Sequence, residues 1–159
     1  MTVAIMQPGK AKEYFEDCEL GETMRSQGRT VSEADIHQFA GLTGDWNPLH
    51  TDAEFAAQGL FGERIAHGPL VFSLGIGLSV QIPNALPKHF IAAYGIDRVR
   101  FSAPTKIGDT LHTQLEIVKL DAKDDNLGVV TTQVNVINQR GETACSYQAK
   151  AAVARRPQP

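Results

Sequence analysis

The fold is decided by residues 69–83, which read Pro69-Leu-Val-Phe-Ser-Leu-Gly-Ile-Gly-Leu-Ser-Val-Gln-Ile82-Pro83. Their apolar side chains alternate, as in a strand, and also form rows four residues apart, as in a helix. A run of this length, with proline at its start and again just past its end, is typical of a helix. We therefore predict a long apolar helix over 69–82, whose small residues let a sheet lie close against it.

Four strands are predicted downstream of this helix, over 90–101, 110–120, 128–137 and 143–153. These segments are rich in Val, Ile, Thr and Tyr, and clusters of turn residues separate them. Connections this short predict antiparallel pairing of consecutive strands, as in a meander.

The residues before the long helix predict one strand and two helices. The strand covers 23–30, Ser32 can cap a first helix, and Asp52 can cap a short second helix over 53–58. The order of strand, helices and four more strands indicates an α+β fold, in which the long helix packs on an antiparallel sheet.

The composition is that of a soluble globular protein. The chain has 159 residues, of which 42% are apolar and 21% charged, and a net charge of −3. This charge disfavours binding to nucleic acid or to an anionic membrane, and no stretch approaches the ~20 apolar residues of a membrane span. The two cysteines form no CxxC pair, so we expect reduced thiols and a cytoplasmic protein.

One domain is predicted, because no repeat and no Pro/Gly/Ser linker divides the chain. We expect it to cover 13–154, between a flexible lead at 1–12 and a polar tail at 155–159.

A group of chemically active side chains lies in Gly41-Leu-Thr-Gly-Asp45-Trp-Asn47-Pro-Leu-His50-Thr-Asp52. Gly44 and Pro48 predict a fixed turn rather than a helix or strand. A carboxylate and a neutral imidazole that share one water can take a proton from it and return one elsewhere, which suits addition or loss of water. On spacing alone, a purely structural loop is the alternative, because Asp and Asn are common in turns.

A second stretch reads Phe61-Gly-Glu-Arg-Ile-Ala-His67-Gly68-Pro69-Leu-Val-Phe-Ser73 and enters the long helix. The N–H groups at a helix start are unpaired and lie in a positive field, so the N–H of Gly68 can stabilise an oxygen that gains charge. The alternative is that Gly68 only permits the turn. His67 is the histidine of this stretch, placed to brace the loop.

The two stretches, 42–52 and 65–73, closely resemble the hydratase motif of the MaoC-like dehydratases, the family of (R)-specific enoyl-CoA hydratases. The resemblance extends over about 13–153. It implies a single hot-dog fold, a long helix wrapped by an antiparallel sheet, in a homodimer whose sheets join side by side. It also implies an acyl-CoA thioester substrate.

The resemblance assigns roles to individual residues. Asp45 and His50 match the catalytic pair, Asn47 a residue that orients the pair or its water, and Gly68 the glycine whose N–H faces the thioester oxygen. Ser73 matches a serine that lines the acyl site or is structural. Pro69 departs from the family, which often has Met there.

The phosphates of CoA need cationic partners, and the sequence has no GxxxxGK loop. The candidates are separate basic residues, namely Arg64, Lys88, Arg98, Arg100 and Lys106. Arg98 and Arg100 are two residues apart, which predicts a shared strand face. A solvated strand face is the alternative for each of them.

The expected activity is reversible addition of water to a trans-2-enoyl-CoA. We expect no metal and no redox cofactor, because the thioester itself acidifies the α-position, and CoA is part of the substrate. Three other functions stay open: a hot-dog thioesterase, a non-catalytic acyl-CoA-binding subunit, and an iron site built on His50, Asp52 and His112.

Overall fold

A long helix lies against an antiparallel sheet in the computed structural model, which describes residues 5–158. The helices are α1 (Glu33–Thr43), α2 (Pro48–Thr51), α3 (Ala53–Ala57) and α4 (Gly68–Val80). The strands are β1 (Thr23–Arg25), β2 (Arg29–Thr30), β3 (Phe90–Phe101), β4 (Thr110–Ala122), β5 (Leu127–Ile137) and β6 (Thr143–Ala154). The predicted α+β class, the central helix and the four long strands are confirmed.

The order of strands in the sheet is β1-β4-β5-β6-β3, with β2 also on β4. The predicted meander is therefore wrong for one pair, because β3 lies beside β6 and not beside β4. Both edges of β4 are occupied, one by β5 and the other by β1 and β2, which leaves the free edge of β6 for β3. The segment between β3 and β4 is correspondingly not a hairpin turn. Its backbone bonds to β6 at Ala144 and to Val31.

The strand predicted over 23–30 is two short strands, β1 and β2, both paired with β4. Residues 26–28 separate them, and the first of these is Ser26. Its Oγ accepts a hydrogen bond from the backbone of Thr113 at 2.8 Å, and its own N–H donates to the Thr113 carbonyl at 3.0 Å. The chain thus stays attached to β4 through the break.

The core lies between α4 and the sheet. Leu70, Leu74 and Leu78 form one row of α4 and are buried. Gly75 lies beside this row, and a Cβ there would be 2.6 Å from Cγ2 of Val136 and 3.2 Å from the hydroxyl of Tyr147. The helix therefore approaches β5 and β6 so closely at Gly75 that a side chain would not fit there without a shift.

Both ends of the described chain are attached to the domain. In the lead, Gln7 pairs with Arg25, and Lys12 is buried in an ion pair with Glu22, Nζ to Oε1 2.6 Å. In the tail, Arg155 and Arg156 pair with Glu16 and Asp17. The parts of the predicted lead and tail at 1–4 and 159 lie outside the described residues.

Cys18 and Cys145 are both buried and free. Burial raises the pKa of each thiol to about 11. Across residues 5–158, no helix is both long enough and apolar enough to cross a membrane.

Candidate active site

His50 lies on a single helical turn, α2, where the sequence predicted a turn without helix. Oδ1 of Asn47 accepts a hydrogen bond from the N–H of Leu49 at 3.0 Å, and Pro48 occupies the first helical position. An Asn cap followed by Pro is an ordinary helix start, so this signal was present in the sequence. The turn fixes the direction in which His50 leaves the backbone.

Asp45 follows the end of α1. Gly44 ends that helix in the left-handed conformation, with φ 79°, and the N–H of Asn47 donates to Oδ1 of Asp45 at 3.3 Å. The carboxylate is exposed. The backbone thus orients one carboxylate oxygen, while the other accepts no hydrogen bond from residues 5–158 and can hold a water.

The half-buried ring of His50 has a defined tautomer. Its Nδ1 lies 2.7 Å from the carbonyl oxygen of Ile65. A carbonyl can only accept, so Nδ1 carries a proton, and in the neutral ring Nε2 is then the acceptor. A ring nitrogen of His50 and a carboxylate oxygen of Asp45 lie within 4.8 Å of each other. The predicted pair is therefore assembled, at a separation that one water can bridge.

His67 lies behind this pair. Its ring is buried, with its centroid 3.9 Å from that of His50, and Nε2 is 2.9 Å from the backbone oxygen of Asp45. The sequence indicated a residue that braces the loop, but neither of these contacts could be derived from spacing.

Gly68 begins α4 and borders a pocket of about 320 Å³ that also contains His50. Phe101 forms another wall, and a Cβ on Gly68 would lie 3.0 Å from three atoms of its ring. The pocket is mostly apolar at the other walls, which include Val71 and Ala144. The start of a helix, a proton acceptor and an apolar wall therefore face one space.

Ser73 and Lys106 were also predicted at the site, but neither side chain lines this pocket. Ser73 is exposed on α4 and its Oγ donates to the carbonyl of Pro69 at 2.8 Å, so its hydroxyl is used within the helix. Lys106 is next to Thr105 of the pocket and pairs with Glu63, Nζ to Oε1 2.6 Å. The pairing leaves Lys106 partly exposed.

Arg98 and Arg100 are both exposed on β3. Arg98 has φ 56°, and the register shifts between Asp97 and Arg100. Because a bulge interrupts the alternation of side chains, the spacing of two residues no longer places the two arginines on a common face. That expectation is corrected.

Asp45, His50 and His67 form the one group in the described part of the chain whose atoms are close enough to share a metal ion. His112, on β4, and Asp52, whose Oδ1 accepts from the N–H groups of Glu54 and Phe55, are not part of it. The His50, Asp52 and His112 set suggested by the sequence is therefore not assembled.

Comparison with known proteins identifies a family. Residues 17–140 match the MaoC like domain family. "Protein MaoC" of Klebsiella aerogenes is 40% identical over 65% of this chain, which spans only 30% of that protein's length. An "(R)-specific enoyl-CoA hydratase" of Rhodospirillum rubrum is 36% identical over 67% of this chain and 71% of its own.

Solved structures agree as well. A protein from Archaeoglobus fulgidus described as a "Monoamine oxidase regulatory protein" superposes with a TM-score of 0.87 at 40% identity, over 94% of this chain and 99% of that one. The chain thus belongs to the MaoC-like dehydratases, a family of hydratases and dehydratases, and has their hot-dog fold.

Proposed function

We propose that this protein catalyses the reversible addition of water to a trans-2-enoyl-CoA, giving a 3-hydroxyacyl-CoA. The observation that carries the proposal is the hydrogen bond from Nδ1 of His50 to Ile65, which leaves Nε2 as the acceptor of the neutral ring, in a side chain that has a ring nitrogen within 4.8 Å of an Asp45 carboxylate oxygen. The Rhodospirillum rubrum relative, named for this activity, supports it.

In the proposed reaction, Asp45 and His50 hold one water between them. The water gives up a proton to the pair as its oxygen bonds to the β-carbon, and the pair delivers a proton to the α-carbon. The negative charge passes through the thioester oxygen, where the N–H of Gly68 at the start of α4 stabilises it. The thioester itself acidifies the α-position, so the reaction needs no metal and no redox cofactor.

The CoA portion is proposed to leave the pocket past Lys106. This side chain is next to the pocket wall, and the phosphates of CoA can compete with Glu63 for its ammonium group. Arg98 and Arg100, exposed on the edge strand β3, are the other candidates for phosphate contacts. Ser73 stays a candidate only for shaping the helix that borders the acyl group.

A homodimer is proposed because β3 ends the sheet and exposes apolar side chains. Ile91, Tyr94 and Phe101 are 57%, 55% and 52% exposed. A strand of this length with a free edge is a site for pairing with another chain, here a second copy. Phe101 also lines the pocket, so the same strand connects the proposed interface with the site.

The decisive experiment is a panel of trans-2-enoyl-CoA substrates of increasing acyl length. Loss of the conjugated enoyl-thioester absorbance is followed together with the release of free thiol, before and after exhaustive chelation. Loss of absorbance without thiol, unchanged by chelation, is expected. Thiol release without prior hydration identifies a thioesterase, strict dependence on Fe(II) an oxygenase, and binding without turnover an acyl-CoA-binding subunit.

A further inference from the structure

We propose that His67 is a positioning residue that fixes Asp45 and His50 relative to each other and to Gly68. The kinetic part of this inference rests on the proposed function. The structural part does not, since it concerns only how the two side chains are held.

His67 contacts both members of the pair by different means. Nε2 donates to the backbone carbonyl of Asp45 at 2.9 Å, and the ring packs on that of His50 with centroids 3.9 Å apart. The ring of Phe39 also packs on that of His67, with centroids 5.1 Å apart. With 1% of its surface exposed, His67 has no room to move without displacing these groups.

The contact with Asp45 is not duplicated elsewhere. Gly44, Asp45 and Asn47 otherwise make their backbone hydrogen bonds with residues 40–51, that is, within their own segment. In the described part of the chain, the bond from His67 is the one that connects the Asp45 backbone to the start of α4. His67 is also the residue before Gly68, so its position sets the peptide that carries the Gly68 N–H.

Packing alone does not require a histidine at this position. Nδ1 of His67 is buried without a hydrogen-bond partner among the described residues. An unpaired buried nitrogen is destabilising, and an apolar ring of similar shape would avoid it. What an apolar ring cannot supply is the N–H that holds the Asp45 carbonyl.

Two variants separate the two contacts. His67→Phe keeps a ring against His50 but removes the donor, while His67→Gln keeps a donor N–H at a similar reach but removes the ring. Displacement of reacting groups by about 1 Å costs roughly 10²-fold in rate, so we expect His67→Phe to lower kcat by about that factor with KM nearly unchanged. We expect the kcat of His67→Gln to be at least tenfold higher than that of His67→Phe.

The matched control is His89→Phe, because His89 also packs on an aromatic ring, that of Tyr14 at 4.2 Å, away from the site. It should leave kcat unchanged. His67→Leu, which also lacks the donor, replaces His67→Phe if the latter does not fold. Equal kcat for wild type and the folded donor-less variant, or no recovery in His67→Gln, would overturn the role in positioning.

A second measurement does not depend on turnover. In wild type, the imidazole ¹⁵N spectrum of His50 should show one tautomer, with the proton on Nδ1. His67→Ala should give a mixture of tautomers, since His50 then loses the ring that holds it against Ile65. An unchanged spectrum would contradict the inference. A changed spectrum in a protein that hydrates no enoyl-CoA would retain the inference and reject the proposed function.

Discussion

At the scale of single residues, the two proposed catalytic side chains are oriented by the backbone rather than by each other. His50 donates to the Ile65 carbonyl and Asp45 accepts from the Asn47 N–H. Each is therefore expected to keep its orientation when the other is replaced. The effect of replacing one of the two side chains can therefore be assigned to that side chain.

We predict that Asp45→Asn and His50→Ala each lower kcat by roughly 10²–10⁴-fold, the usual contribution of a group that transfers a proton. Asn keeps the shape of Asp and its acceptor for the Asn47 N–H, but it cannot take a proton. The double variant should lose much less than the product of the two effects, because both act on one water. Steady-state kinetics on an enoyl-CoA measures this. Near wild-type turnover by folded Asp45→Asn would show that the segment only shapes the loop.

Gly68→Ala is predicted to lower kcat by roughly 10–100-fold without unfolding the protein, since the half-exposed Phe101 ring must shift to admit a Cβ 3.0 Å away. The matched control is Gly77→Ala in the same helix, where a Cβ meets nothing within 4 Å. It should keep full activity and raise the free energy of unfolding by about 0.5–1 kcal/mol. Kinetics and urea unfolding of both variants check this. Recovery of kcat in Gly68→Ala combined with Phe101→Leu would identify the contact as the cause, and its absence would reject that cause.

At the scale of elements, the sequence was sufficient where the signals are local. Helix α4 was predicted within two residues at each end, because prolines punctuate it. The sequence was insufficient where strands pair with partners that are distant along the chain. That β3 pairs with β6 follows from the occupied edges of β4, and the bulge at Arg98 follows from the register with β6. No pattern inside either strand contains this information.

For the candidate site too, the sequence predicted the residues but not the contacts between them. The resemblance supplied Asp45, Asn47 and His50 from one short stretch and Gly68 from a second, each recognisable from its neighbours in the sequence. Their geometry depends on contacts over 15 and 22 residues, from His50 to Ile65 and from His67 to Asp45. Phe101 reaches Gly68 from a strand that follows α4. Such contacts arise only after the chain has folded.

The loop that leads into β4 is predicted to lose stability at acid pH through Asp109. Burial alone would raise the pKa of this carboxyl, but the hydrogen bonds from Arg140, from the Lys106 N–H and from Gln139 outweigh burial and hold the pKa below its ordinary 3.8. The ionised form is thus favoured by folding. Its contribution is complete above pH ~4 and disappears as the pH falls through the lowered pKa.

Urea unfolding of wild type and Asp109→Asn tests this. The free energy of unfolding should differ most at neutral pH, and the difference should narrow as the pH falls below 3.8. A difference that stays constant down to pH 2 would show that the charge of Asp109 is not the cause.

At the scale of the whole molecule, a buried ion pair connects the N-terminal segment to the domain. The side chains of Lys12 and Glu22 are 0% and 3% exposed. Glu22→Ala leaves the ammonium group buried without its partner, and we predict a loss of about 3–5 kcal/mol in the free energy of unfolding. Chemical denaturation followed by circular dichroism measures it.

The matched control for this prediction is Glu13→Ala, which breaks the exposed pair with Lys88. It should change stability little, because water solvates both groups. Replacing both buried partners by apolar residues, Lys12→Met with Glu22→Leu, should cost less than Glu22→Ala alone. Equal losses in the free energy of unfolding for Glu22→Ala and Glu13→Ala would show that burial of the Lys12 and Glu22 pair is not the cause.

The oligomeric state is predicted to be a homodimer that forms through β3. Light scattering at micromolar concentration should give twice the mass of one chain, and a stable interface of this kind buries over ~1,000 Å². Ile91→Lys combined with Tyr94→Lys should give monomers, since four like charges would meet at one interface. Val118→Lys, at an exposed position of β4, is the control and should remain dimeric. A wild type with the mass of a single chain would reject the dimer.

Alkylation of the two buried cysteines can report when the structure opens around each of them. With pKa values near 11, the thiols are almost entirely protonated at pH 7.5, and alkylating reagents react with thiolates. Labelling in the native state must then wait for the structure to open. Cys18 lies just after the helical turn Phe15–Asp17, while Cys145 lies on β6, between β5 and β3 in the sheet. Mass spectrometry of the two alkylated peptides would therefore time the detachment of the N-terminal segment separately from the opening of the sheet.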